Sequence, residues 1–140
     1  MAILEIGLNL EKKHILNIQY DNFKSTKDWD PSLRAGFISF LDSFSKNVYG
    51  KNLDMIKMKD FQMIFHSKII ESFTEPKEQK PLICYCITDN SKNKNIQKDI
   101  LKEILEQFLN RYAIFDIFTK DEKYFVEFKP RVKSLVENSS

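Results

Sequence analysis

The chain has 140 residues, of which 42% are hydrophobic and 13% aromatic, and it carries 22 basic against 20 acidic side chains. This length corresponds to about one domain, and the apolar content excludes disordered and collagen-like proteins. The net charge of +2 provides no strong positive field of the kind that nucleic-acid-binding proteins use. We therefore expect one domain over residues 1–140 and no nucleic-acid partner.

Two strands are predicted at the start of the chain. In Ile3–Leu10, apolar residues recur with a period of two, which is typical of a strand with one buried face. Residues 11–13 form a polar turn, and the alternation resumes over residues 14–20, whose half-polar pattern favours a sheet edge. Residues 21–29 are interpreted as a polar connector.

A long amphipathic helix is predicted over residues 30–49, with Asp30 as its N-cap, Pro31 in its first turn and Gly50 as a left-handed stop. Six large apolar residues recur at helical spacing within an arc of about 100°. Because strands are predicted on both sides of this helix in the chain, we expect the apolar stripe to pack on a sheet. The stripe comprises Leu33, Phe37, Phe40, Leu41, Phe44 and Val48.

The opposite side of this predicted helix supplies a candidate partner-binding surface. Ile38 and Tyr49 lie about 140–160° from Leu33 around the helix, among polar and charged residues. An apolar pair within a polar face can anchor a partner, although isolated exposed apolar residues are also ordinary. The predicted surface comprises Arg34, Ile38, Asp42, Ser45 and Tyr49.

Further strands are predicted after Gly50. A hairpin reverses near Lys59 and Asp60, and residues 71–81, which are rich in charges and contain two prolines, form a solvated loop. Residues 82–88 are almost continuously apolar, which is typical of a central strand covered on both faces. The outer strands, residues 14–20 and 53–59, offer a second candidate interface through pairing with a strand of another chain.

Two helices are predicted in the last third of the chain. Apolar residues at helical spacing over residues 96–112 cover about 220° of the helix circumference, so this helix needs two contact surfaces. We expect irregular chain from Ala113 and a short helix over residues 129–137, with Pro130 in its first turn.

This order of elements resembles the longin domain, which is related to the roadblock domain by a circular shift. The resemblance rests on the opening hairpin ILEIGLNLEKKHILNIQY, the phenylalanine-rich helix after Asp30, the strands around Lys59 and the strand LICYCIT. It implies an α/β (α+β) three-layer sandwich. The five-stranded antiparallel sheet would have the order 2-1-5-4-3, with the long helix on one face and two helices on the other.

The resemblance also implies a function. Because no heptad motif or membrane anchor follows the matching segment, we expect a stand-alone longin-like module and not a SNARE. Such a module acts without catalysis or cofactor, by pairing with another longin or roadblock-type protein or with itself, or by binding a small GTPase or a coat or tether subunit. It would reach membranes through those partners. The alternatives are a small-molecule sensor of profilin-like fold, which an apolar cavity lined by Phe and Met would favour, and an enzyme with a dispersed site.

The residues with reactive side chains do not indicate a disulfide, a metal site or a catalytic pair. Cys84 and Cys86 lie on one face of a strand with Cα atoms about 7 Å apart, at the limit for a disulfide. With His14 and His66 they show no metal-motif spacing, so we predict buried free thiols and no metal. His66 and Ser67 are strand neighbours that point to opposite faces, which disfavours a nucleophile–base pair.

Cellular location is predicted from the same features. Unpaired cysteines suit a reducing compartment. The N-terminus lacks a basic region before its apolar residues, and no apolar run approaches the roughly 18 residues that cross a membrane. The sequence therefore predicts a cytoplasmic protein.

Overall fold

The computed structural model describes residues 3–20, 31–89 and 93–139, and it contains a five-stranded antiparallel sheet in the order β2-β1-β5-β4-β3. The predicted mixed α/β class and strand order are confirmed. The strands are β1 (Ile3–Leu10), β2 (Lys13–Gln19), β3 (Met55–Lys57), β4 (Phe61–Glu71) and β5 (Gln79–Asp89). The helices are α1 (Pro31–Tyr49), α2 (Lys94–Arg111), α3 (Ile114–Thr119) and α4 (Lys129–Ser139), with a 3₁₀ helix (Glu122–Phe128) before α4.

The hairpin of β4 and β5 is longer than predicted. The two strands stay in register from Phe61 opposite Asp89 to Glu71 opposite Gln79. The predicted solvated loop over residues 71–81 is therefore shortened to residues 72–78. The sequence did not predict the longer strands, because their charged ends resemble loop sequence.

Strand β5 separates two hydrophobic clusters. Cys84 belongs to a cluster that includes Leu101 of α2, whereas Tyr85 belongs to one that includes Ile38 of α1. Because successive strand residues point to opposite faces, α1 and α2 contact opposite faces of the sheet. Residues 82–88 are all buried, so the prediction of a strand covered on both faces is confirmed.

The C-terminal third closes the cluster around α2. The Asn93 side chain caps α2 by accepting from the backbone N–H groups of residues 95 and 96, and Phe108 packs against the rings of Tyr112, Phe125 and Phe128. The predicted irregular chain after Ala113 is wrong, because two short helices occupy it before α4. The predicted final helix is confirmed. Within the described ranges, no helix combines the length and apolar character needed to cross a membrane.

Candidate functional site

Helix α1 faces the sheet with the side opposite to the one predicted. Arg34, Ile38 and Asp42 are only 1%, 0% and 3% exposed. The predicted buried stripe instead points outward, so that prediction is wrong. The exposed fractions are 62% for Leu33, 37% for Phe37, 66% for Phe40, 49% for Phe44 and 55% for Val48, while Leu41 is half-buried; these six residues are called the apolar face of α1.

A buried carboxylate explains this orientation. Glu5 of β1 is completely buried, and its Oε2 lies 2.8 Å from Nη1 of Arg34. The Tyr85 hydroxyl donates to the same oxygen at 2.6 Å, the Asn17 amide donates to it at 2.9 Å, and the Gln19 amide donates to Oε1 at 3.3 Å. A buried ion pair is sustained only when further hydrogen bonds satisfy its charges. The carboxylate therefore draws the Arg34 side of α1 onto the sheet.

Gly7 makes room for the tyrosine in this network. Gly7 lies opposite Tyr85 in the pairing of β1 with β5. A Cβ atom at residue 7 would lie only 2.4 Å from Cε1 of the Tyr85 ring. Burial, reinforced by the charge of Glu5, raises the pKa of Tyr85 well above its usual value, so the hydroxyl stays protonated and donates to the carboxylate.

The second half of α1 is also held in place by hydrogen bonds and an ion pair on its polar side. The Asp42 carboxylate accepts from the backbone N–H of Leu53 at 3.2 Å and pairs with Lys46 at 3.1 Å. The Ser45 hydroxyl donates to the carbonyl of Lys51 at 2.8 Å. Gly50 ends the helix in the left-handed conformation, with φ of 68°, as predicted. The predicted N-cap, Asp30, lies outside the described residues.

Most of the predicted partner surface is thus occupied within the chain. Arg34, Asp42 and Ser45 form the contacts just described, and Ile38 lies in the core. Only Tyr49 is well exposed, and its ring packs edge-on against Phe44 with centroids 6.4 Å apart. The prediction therefore interchanged the interior and exterior sides of this helix.

The apolar face of α1 has the character of a docking surface. The charged residues of α1 are Arg34, Asp42 and Lys46; the first two are buried, and the third pairs with Asp42. The outward side therefore presents apolar groups bordered by uncharged polar residues. We estimate an apolar area on the order of 500 Å² from the usual size of such side chains. A contiguous patch near the upper end of what soluble monomers expose often marks an interaction site.

The sheet edges are weaker candidates. β3 pairs with β4 only along Met55–Lys57, so in the described chain the distal part of β4 forms that edge. It carries Lys68 and Glu71, and charged side chains oppose edge-to-edge pairing. The other edge strand is β2, and the 3₁₀ helix lies beside it. Oε2 of Glu122 in this helix is 2.9 Å from Nδ1 of His14 in β2.

The reactive side chains do not assemble a comparable site. Cys84 and Cys86 are free and buried. Among the described residues, no group of three or more His, Cys, Asp or Glu is placed to hold a metal ion. An open depression of about 520 Å³ beside α2 is lined mainly by charged and polar residues, including Glu103, Arg111 and Arg131. This lining differs from the apolar Phe and Met lining that the sensor alternative calls for.

Burial should make both thiols unreactive in the folded protein. Burial raises the pKa of Cys86 to about 12 and that of Cys84 well above its usual value, where the neighbouring thiol adds to the effect. We expect Ellman's reagent to modify neither cysteine at neutral pH within the time in which it modifies the urea-unfolded chain completely. Rapid reaction of the native protein at either cysteine would contradict the packing of β5.

No protein-family model matches the chain, and no curated protein sequence shows significant similarity to it.

Proposed function

We propose that this protein is a non-catalytic interaction module of the longin-like type, which acts by binding another protein through the apolar face of α1. The single observation that carries the proposal is the exposure of that face, with Phe40 and Val48 more than half exposed on a side of the helix that presents no free charge. Aromatic and aliphatic side chains free of charge are typical of the centre of protein interfaces.

The kind of partner follows from the chemistry of the face and from the resemblance. An uncharged apolar surface about four turns long suits the apolar side of another helix. The longin-like order of elements favours a small GTPase, a coat or tether subunit, or another longin or roadblock-type protein, in cytoplasmic trafficking or GTPase regulation. The polar side of α1 has a supporting role, because its ion pair holds the helix in the orientation that exposes the face.

The proposal is tested by affinity capture from lysate of the source organism with three immobilised baits. These are the wild-type protein, Phe40→Asp and the control Phe115→Asp, in which a ring of similar exposure on α3 is changed in the same way. We expect the wild type and the control to retain the same protein in near-equimolar amount, and Phe40→Asp to lose it. Mass spectrometry identifies the retained protein.

Identical retention by all three folded baits would overturn the proposal, because the apolar face would then have no part in binding. Circular dichroism on each bait verifies folding. Since residue 40 points away from the core, we expect Phe40→Asp to keep the wild-type spectrum.

A further inference from the structure

We propose that the apolar face of α1 binds a second copy of this chain, with the two α1 helices packed antiparallel about a two-fold axis. This inference rests on the proposed function and names the occupant of the site. It is carried by the order of residues along the face, by its lack of charge and by its area.

The large apolar residues of the face follow nearly the same order in both directions along the helix. Its midpoint lies between Phe40 and Leu41, and at equal distances from it stand Phe37 and Phe44, then Leu33 and Val48. In an antiparallel pair with its axis at that midpoint, each large apolar residue lies opposite another one. A two-fold interface requires this self-complementarity, because the same surface serves as both partners.

Electrostatics permits the pairing. In a two-fold pair, a charge close to the axis meets the same charge of the other copy, which destabilises the complex. Here Arg34 is neutralised by Glu5 on the inner side of α1, and Lys46 is paired with Asp42. Apolar side chains and uncharged polar neighbours therefore meet across the axis.

The size of the contact is adequate for a dimer. From Leu33 to Val48 the face runs about 22 Å along the helix axis at the usual rise per residue. The estimated apolar area of roughly 500 Å² per copy forms the interface centre, and the polar residues at its border bring the buried surface toward the roughly 800 Å² per partner of a standard interface. Phe40, the most exposed ring of the face, lies next to the axis and meets its equivalent across it.

The association is tested by light scattering coupled to size-exclusion chromatography over a wide concentration range. We expect the mass to rise from 16.6 kDa toward twice that value as concentration increases. Phe40→Asp places two carboxylates beside the axis and should raise the dissociation constant about thirtyfold or more. The control Phe115→Asp should leave it unchanged.

The antiparallel arrangement is tested by disulfide cross-linking. The double variant Leu33→Cys/Val48→Cys places each new thiol opposite the other new thiol of the second copy, so mild oxidation should give a covalent dimer. Leu33→Cys alone should not, since the two copies of residue 33 then lie at opposite ends of the helix pair. Cross-linking by Leu33→Cys alone would overturn the antiparallel arrangement.

The outcomes separate this inference from the proposed function. A wild-type protein that stays monomeric at all concentrations overturns the homodimer. If that monomer still retains a different protein through Phe40 in the capture experiment, the interaction module stands with another occupant. A monomer without face-dependent capture overturns both.

Discussion

Replacement of Arg34 by Met is expected to lower the free energy of unfolding by about 3–5 kcal/mol, as for other broken buried ion pairs. The variant removes the cation 2.8 Å from the buried Glu5 carboxylate and leaves that charge in the core without its ion-pair partner. Urea denaturation followed by circular dichroism measures the change, at a concentration that keeps the protein monomeric. A loss below about 1 kcal/mol would contradict the assignment of this pair as the anchor of α1.

The double variant Glu5→Leu/Arg34→Met is the matched control. It removes both charges and puts apolar groups in their place, so much of the lost stability should return. Tyr85 and Asn17 would then lack their carboxylate acceptor, and the recovery should be partial. A double variant that is less stable than Arg34→Met would show that Glu5 contributes through contacts other than the ion pair.

Substitution of Gly7 by Ala is expected to lower the free energy of unfolding by about 2–4 kcal/mol. The added methyl group would lie 2.4 Å from the Tyr85 ring, which is completely buried and held by its hydrogen bond to Glu5. The ring has to move, and the buried carboxylate then loses a donor.

Gly36→Ala is the control for this second experiment. In the described part of the chain, a Cβ built at Gly36, in the interior of α1, meets no atom within 4 Å apart from its chain neighbours and the helix's own backbone. Ala is favoured over Gly in a helix, so this variant should gain about 0.5–1 kcal/mol. Equal effects of the two substitutions would contradict the close packing of Tyr85 on β1.

The sheet could be predicted from sequence because each strand has a local signal. Ile3–Leu10, where apolar residues recur with a period of two, forms β1. The apolar run over residues 82–88 forms the centre of β5. The short helix α3 and the 3₁₀ helix gave no such signal. At six and seven residues they are too short for a helical period to repeat, and they are fixed by packing of Ile117 and Phe125 into the core.

The face of α1 was mispredicted because periodicity identifies the most apolar side of a helix and not the side that packs. Ordinarily the two coincide. Here the sheet surface under α1 includes Glu5, Gly7 and Tyr85. This surface favours a helix side that supplies a cation and packs closely over a side with six large apolar groups. The signal was present in β1, since Glu5 and Asn9 stand on the same side of an otherwise apolar strand, and both are buried.

The orientation of α1 on the sheet is best tested by paired alanine substitutions at Ile38 and Phe40. Urea denaturation at a concentration where the protein is monomeric gives the free energy of unfolding without a contribution from association. Ile38 is completely buried, so Ile38→Ala should cost about 2–5 kcal/mol, whereas Phe40→Ala should change stability by less than about 0.5 kcal/mol. The reverse pattern, with the larger loss at Phe40, would place the apolar face on the sheet and remove the candidate site.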